Sequence, residues 1–177
     1  ARPHTAFPNP PVTLIPAYPD LPMEKVFMRT PRTDIPQVFL REAGRGRVVY
    51  FPWDIDRTFA EVLAVDHFKL MRNAVEWATD EVPPVSVEGT GVFDVTIWEQ
   101  AQSLTVHLVN LTNPMMMKGP VRELIPSGPQ RVRVRVPSGV RPAGAVHLLV
   151  AGTDPDYQLS GDTVELTVPS VLAHEVV

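Results

Sequence analysis

The sequence predicts an α+β chain made of two unlike pieces, residues 1–82 and 85–177, and three observations carry that prediction. Prolines crowd the opening: of the 20 in the chain, nine fall before residue 37. One long stretch, "DHFKLMRNAVEWATDE" at 66–81, places apolar residues at helical spacing. From about residue 85 the hydrophobic period becomes two, in short runs separated by turn clusters.

The opening "ARPHTAFPNPPVTLIPAYPDLP" is read as an irregular wrapping segment. Proline lacks the backbone donor that a helix interior or a central strand needs. The segment has neither the charged and apolar blocks of a secretory leader nor the Arg-rich amphipathic pattern of a transit peptide. Next, "PQVFLREAG" and "GRVVYFP" form two extended runs, with Gly44 and Gly46 permitting a tight reversal between them. In the helix that follows, Phe68, Met71, Ala74, Val75 and Ala78 make a stripe that Leu70 and Trp77 widen. Asp66 stands where an N-cap belongs, and Pro83 and Pro84 close the element.

Beyond the prolines, "VFDVTIW", "LTVHLVNLT", "RVRVRV", "AVHLLV" and "TVELTV" suggest five to seven short strands and hence an antiparallel β-sandwich. Val164, Leu166 and Val168 should face the core, and Thr163, Glu165 and Thr167 water. The first piece, by contrast, has too few layers to cover both its helix stripe and its sheet face. Either a partner chain or residues upstream of Ala1 must supply the cover.

Composition excludes several function classes. A chain of 177 residues with 44% hydrophobic and 20% charged residues is globular, and its net charge of −4 lacks the basic excess of a nucleic-acid binder. No apolar run approaches the ~20 residues of a membrane span. Without cysteine there is no disulfide, thiolate nucleophile or sulfur ligand; a cytoplasmic location fits, with secretion left open. The five histidines show no pair at metal-ligand spacing. Neither metal nor cofactor is expected.

The candidate functional stretch is "RVVYFPWDIDRTF" at 47–59. Asp54 and Asp56 share a side in an extended backbone, and paired carboxylates suit glycoside hydrolysis or a divalent metal. Arg57 beside them favours an ion-paired, loop-holding role. Trp53 offers a stacking face for a sugar, or fills a gap beneath the helix. Elsewhere, Arg131, Arg133 and Arg135 share one face, read as a solvated surface that resists edge pairing. Met115, Met116 and Met117 cannot all enter one core from an extended segment, which suggests an adaptable domain or subunit interface. Asn110-Leu111-Thr112 matches a glycosylation acceptor.

The blocks "GRGRVVYFPWDIDRTF", "LMRNAVEWA" and "LTVHLVNLTNPMMMKGPVRELIP" resemble the C-terminal region of bacterial glycoside-hydrolase-like proteins related to the family 42 β-galactosidases. That resemblance implies a partial α/β, flavodoxin-like remnant of a class I amidotransferase-like trimerisation domain at 1–82. A small antiparallel β-sandwich follows at 85–177. It also implies a missing N-terminal TIM-barrel catalytic domain or partner chain, and a homo-oligomer. Working class I amidotransferases end the corresponding strand in Phe-His-Pro-Glu. Here the run is Phe51-Pro52-Trp53-Asp54, with proline in the histidine slot and no cysteine in the chain, so no catalytic residue is assigned. Trp53, Asp54, Asp56 and Arg57 remain as substrate-proximal or interface residues. The alternative is a free-standing carbohydrate-binding sandwich using Trp98, Tyr157 and Trp53. A hydrolase acting through Asp54 and Asp56 is a third reading.

Overall fold

The computed structural model describes residues 10–17, 22–112, 120–137, 139 and 144–177. The chain divides into two compact units, Ala1–Val82 and Pro83–Val177. The described residues form an α+β fold with two helices and three small antiparallel sheets.

In the first unit, β1 (Phe39–Ala43) and β2 (Gly46–Tyr50) form an antiparallel hairpin. Gly44 takes φ +62° in its turn, a conformation that suits glycine. Two helices follow, α1 (Ile55–Val62) and α2 (Val65–Thr79). Leu63 separates them at φ +55° and sends its N–H to the Phe59 carbonyl, 2.6 Å away. The stretch expected as an extended loop is therefore helical from Ile55, with Asp54 as N-cap residue and Asp56 in the first turn. Ile55, Phe59 and Val62 supply an apolar row at i, i+4 and i+7.

The α2 helix starts one residue earlier than expected, with Ala64 rather than Asp66 at its N-cap. Its covered side is also rotated from the expected stripe: His67, Leu70, Met71, Ala74, Trp77 and Ala78 are half-buried. Phe68 and Val75 remain 48% and 62% exposed. Trp77 is held inward by Arg47 of β2, whose guanidinium lies 5.4 Å from the indole centroid. Arg47 Nη1 donates to the Trp77 carbonyl at 3.0 Å, and Nη2 pairs with Asp80 at 3.2 Å. One polar side chain thus ties the sheet to the last turn of the helix, where carbonyls lack helical partners.

The second unit is sandwich-like. One sheet has the order β3-β6-β8-β7 and the other β4-β5-β9, with every pairing antiparallel. Their spans are β3 (Val85–Gly89), β4 (Phe93–Glu99), β5 (Leu104–Asn110), β6 (Gln130–Arg135), β7 (Tyr157–Ser160), β8 (Thr163–Val168) and β9 (His174–Val176). Val106 and Leu108 of β5 meet Val132 and Val134 of β6 and Val164, Leu166 and Val168 of β8 in the core. Alternation delivers these residues, since every second side chain of a strand points the same way.

Three features depart from expectation. "AVHLLV" is not a strand: Leu148 makes an isolated bridge to Thr153, and a turn follows it. His147 is therefore not a strand residue. β6 lies between β3 and β8, so its arginines guard no edge. Instead Arg131 and Arg133 share Glu165 of β8, and Arg133 also reaches Glu88 of β3 at 2.7 Å.

Buried polar groups fix the loops. Gln130, 1% exposed, donates to the Thr90 and Gly128 carbonyls at 2.9 Å each. Glu175, 3% exposed, accepts from Val150 N at 2.8 Å and Ala151 N at 3.1 Å. It thereby pins the 148–153 turn beside β9. Asn110 donates to the Ile125, Val171 and Leu172 carbonyls at 2.8, 3.0 and 2.9 Å. Its amide is occupied as a clamp among three chain segments, which leaves the glycosylation-acceptor reading without a free nitrogen.

Candidate functional site

The segment from β2 into α1 positions the four residues singled out in the first unit. Trp53 is half-buried, with Nε1 donating to the Gln37 carbonyl at 3.2 Å. Its ring meets the edge of His67 at 5.4 Å and of Phe51 at 6.5 Å. The indole is thus clasped between the strand exit and the start of α2. This arrangement fills the gap beneath the helix. The neighbouring His67 Nδ1 is buried with no partner among the described residues.

Asp54 and Asp56 are both exposed. Because the backbone is helical from Ile55, residues two apart diverge around the axis rather than share a side. Asp54 instead pairs with Arg57 one turn on, at 3.0 Å. Both groups are largely solvated, so the pair contributes little stability. Among the described residues no group of three His, Cys, Asp or Glu is placed to hold a metal ion.

The remaining candidates are scattered. Met115, Met116 and Met117 lie outside the described residues. Trp98 is 61% exposed on β4, whereas Tyr157 belongs to β7 of the opposite sheet. The two aromatics do not form one platform. His107 and His174 meet across β5 and β9 at 3.3 Å between ring nitrogens. Their centroids are 5.5 Å apart and the planes 22° from parallel. The centroid separation exceeds the N···N distance by about two ring radii, so the rings meet edge to edge in an N–H···N contact. His147 pairs with Asp154 in the loop beside β9.

On the outer face of the four-stranded sheet, the Glu165 carboxyl is held below its ordinary value by hydrogen bonds from Arg133 and then Arg131. The same Glu165, followed by Glu88, raises Arg133 above its own. These charges answer one another across three strands and leave no anion-binding strip at Arg131 and Arg133. The sequence offered a clue in the alternation of Glu88, Arg131, Arg133 and Glu165, but only strand order makes them neighbours. Gln130 and Glu175 carried no recognisable pattern at all.

Comparison with known proteins adds one fold relationship. No protein-family model matches the chain, and no curated protein does. Among solved structures, the α-L-fucosidase isoenzyme 2 from Paenibacillus thiaminolyticus matches 83% of this chain with a TM-score of 0.63. This chain shares its fold with part of that fucosidase. Sequence identity is 19%, and the match spans 22% of the fucosidase chain. No helix among the described residues is long and apolar enough to cross a membrane.

Proposed function

We propose that this chain is a non-catalytic C-terminal assembly and accessory region of a glycoside hydrolase of the β-galactosidase-like kind. It works beside a catalytic domain supplied by the same polypeptide or by a partner chain. The observation that carries the reading is the apolar surface exposed among the described residues of the 1–82 unit. Val48 and Tyr50 are 49% and 51% exposed on one face of the hairpin, and Val65, Phe68 and Val75 are 62%, 48% and 62% exposed on α2. Apolar surface of this extent on both layers calls for a covering partner. The fold likeness supports the same reading, because the comparable region is a minor part of a much longer α-L-fucosidase.

In this reading, residues 1–82 close an amidotransferase-like trimerisation domain and residues 85–177 are the sandwich that follows it. Trp53, Asp54, Asp56 and Arg57 face the catalytic neighbour of a homo-oligomer. They bear on its substrate pocket without touching the reacting atoms. The test belongs in the protein that carries the catalytic domain. Val48→Asp with Phe68→Asp should break assembly in sedimentation velocity, and Trp53→Ala or Asp54→Asn should change KM for a chromogenic glycoside. Unaltered assembly together with unaltered KM would overturn the proposal. Saturable glycan binding by the 177-residue chain alone, lost in Trp98→Ala, would do so in favour of a carbohydrate-binding module.

A further inference from the structure

The sandwich brings together two histidines, His107 and His174, that stand 67 positions apart in the chain. Val106 and Leu108, on either side of His107, are buried in the core, so alternation turns His107 to the outer face of the three-stranded sheet. On β9, His174 is registered opposite Val109, two residues further along β5. The two histidines are therefore diagonal neighbours on one face, a separation that aromatic side chains bridge. The backbone beneath them is pinned on both sides of the pair. Asn110 N donates to the Ala173 carbonyl at 2.9 Å, and Val177 N donates to the Val106 carbonyl at 2.9 Å.

The resulting geometry is that of a chelate. His107 Nδ1 and His174 Nε2 are 3.3 Å apart. Two nitrogens that ligate one ion at about 2.0–2.1 Å with a tetrahedral angle stand about 3.4 Å apart. The same arrangement puts the ring centroids about 5.3 Å apart; here they are 5.5 Å apart, with planes 22° from parallel. An ion thus takes the place of the proton in the N–H···N contact once the rings turn both lone pairs towards it. Each imidazole stays neutral, its proton carried on the far nitrogen. Asp94 of β4, opposite Val109 on the other side of β5, is exposed on the same face and adds negative charge where a cation approaches. Imidazole pairs suit zinc, nickel and copper, whereas magnesium and calcium prefer oxygen ligands.

We propose that His107 and His174 chelate a divalent transition-metal ion of the imidazole-preferring kind, Zn²⁺ or Ni²⁺, with water in the remaining positions. The ion clips the three-residue strand β9 to β5. Because the two ligands meet only in the folded chain, binding stabilises that state. Calorimetric titration of the full chain with ZnCl₂, NiCl₂ and MgCl₂ should give saturable binding of Zn²⁺ and Ni²⁺ and none of Mg²⁺. His107→Gln, and independently His174→Gln, should weaken Zn²⁺ at least about tenfold, while His147→Gln leaves it within about twofold. Zn²⁺ should raise the melting temperature of wild type and leave that of either weakened variant unmoved. In the wild-type chain, Zn²⁺ should shift the imidazole nitrogen resonances of His107 and His174 together, a readout that needs no variant to fold. No saturable binding, equal binding of Mg²⁺, a Zn²⁺ site that survives both substitutions, or Zn²⁺ shifts confined to other histidines would overturn the proposal.

Discussion

Of the hydrophobic side chains buried among the described residues, Ile55 alone belongs to the first unit, whereas the sandwich contributes ten, from Val106 to Val176. Apolar residues are not scarce in either unit: Leu and Val run through both, and the first unit holds six of the seven Phe. What differs is closure. Two sheets facing each other bury both inner faces, while a two-stranded hairpin with two helices encloses only the strip where α2 crosses β2. The lesson is that hydrophobic content does not make a core; a second layer of matching size does.

The sharpest way to test this contrast is to cut into each unit. Leu108 is 0% exposed, and Leu108→Ala should cost about 4 kcal/mol in urea-induced unfolding, from lost burial plus the cavity left behind. Next comes Glu175→Ala. Removing the carboxylate that holds Val150 N, Ala151 N and Val176 N strands three amides, an expected loss of about 3 kcal/mol in the same assay.

A smaller effect is expected from the charges on the outer sheet face, and it depends on pH. Because Arg133 and Arg131 hold the Glu165 carboxyl below its ordinary value of 4.5, the folded state resists protonation more than the unfolded chain. That stabilisation is complete above the unfolded value and is lost as pH falls through the folded one. The stability difference between wild type and Glu165→Gln should therefore shrink when thermal melts are run from roughly pH 6 down to pH 3. A difference that stays constant over that range would remove Glu165 from the account.

The smallest effect belongs to the first unit. Val75→Ser alters a side chain 62% exposed in the chain by itself, so it should change stability by less than about 0.5 kcal/mol. A loss comparable to that of Leu108→Ala would mean that this face is packed in the isolated chain, and the contrast between the units would collapse.

How much of this was legible beforehand varies by element. Val164, Leu166 and Val168 point inward as their alternation required, at 8%, 3% and 0% exposed. The hairpin turns at Gly44 because few other residues accept its φ. The helix near 66–79 was visible in its period, but its rotation was not, since an apolar stripe cannot say which of its edges finds a partner. Arg47 and Trp53 made that choice, by drawing Trp77 and His67 inward. The helix α1 was hidden by its length, since Ile55–Val62 is only eight residues and begins in an Asp-rich stretch that reads as loop.

The candidate site shows the same division. Sequence could gather Trp53, Asp54, Asp56 and Arg57 into one short stretch, but only the backbone conformation decided that the two carboxylates diverge and that Asp54 pairs with Arg57. By itself the sequence determined the local terms: strand alternation, turn glycines and proline breaks, each set by a residue and its nearest neighbours. Strand order, the Arg131–Glu165 and Arg133–Glu88 pairings and the buried roles of Gln130 and Glu175 were decided by tertiary structure. They join residues tens of positions apart, and such contacts exist only once the folded core brings their strands and loops together.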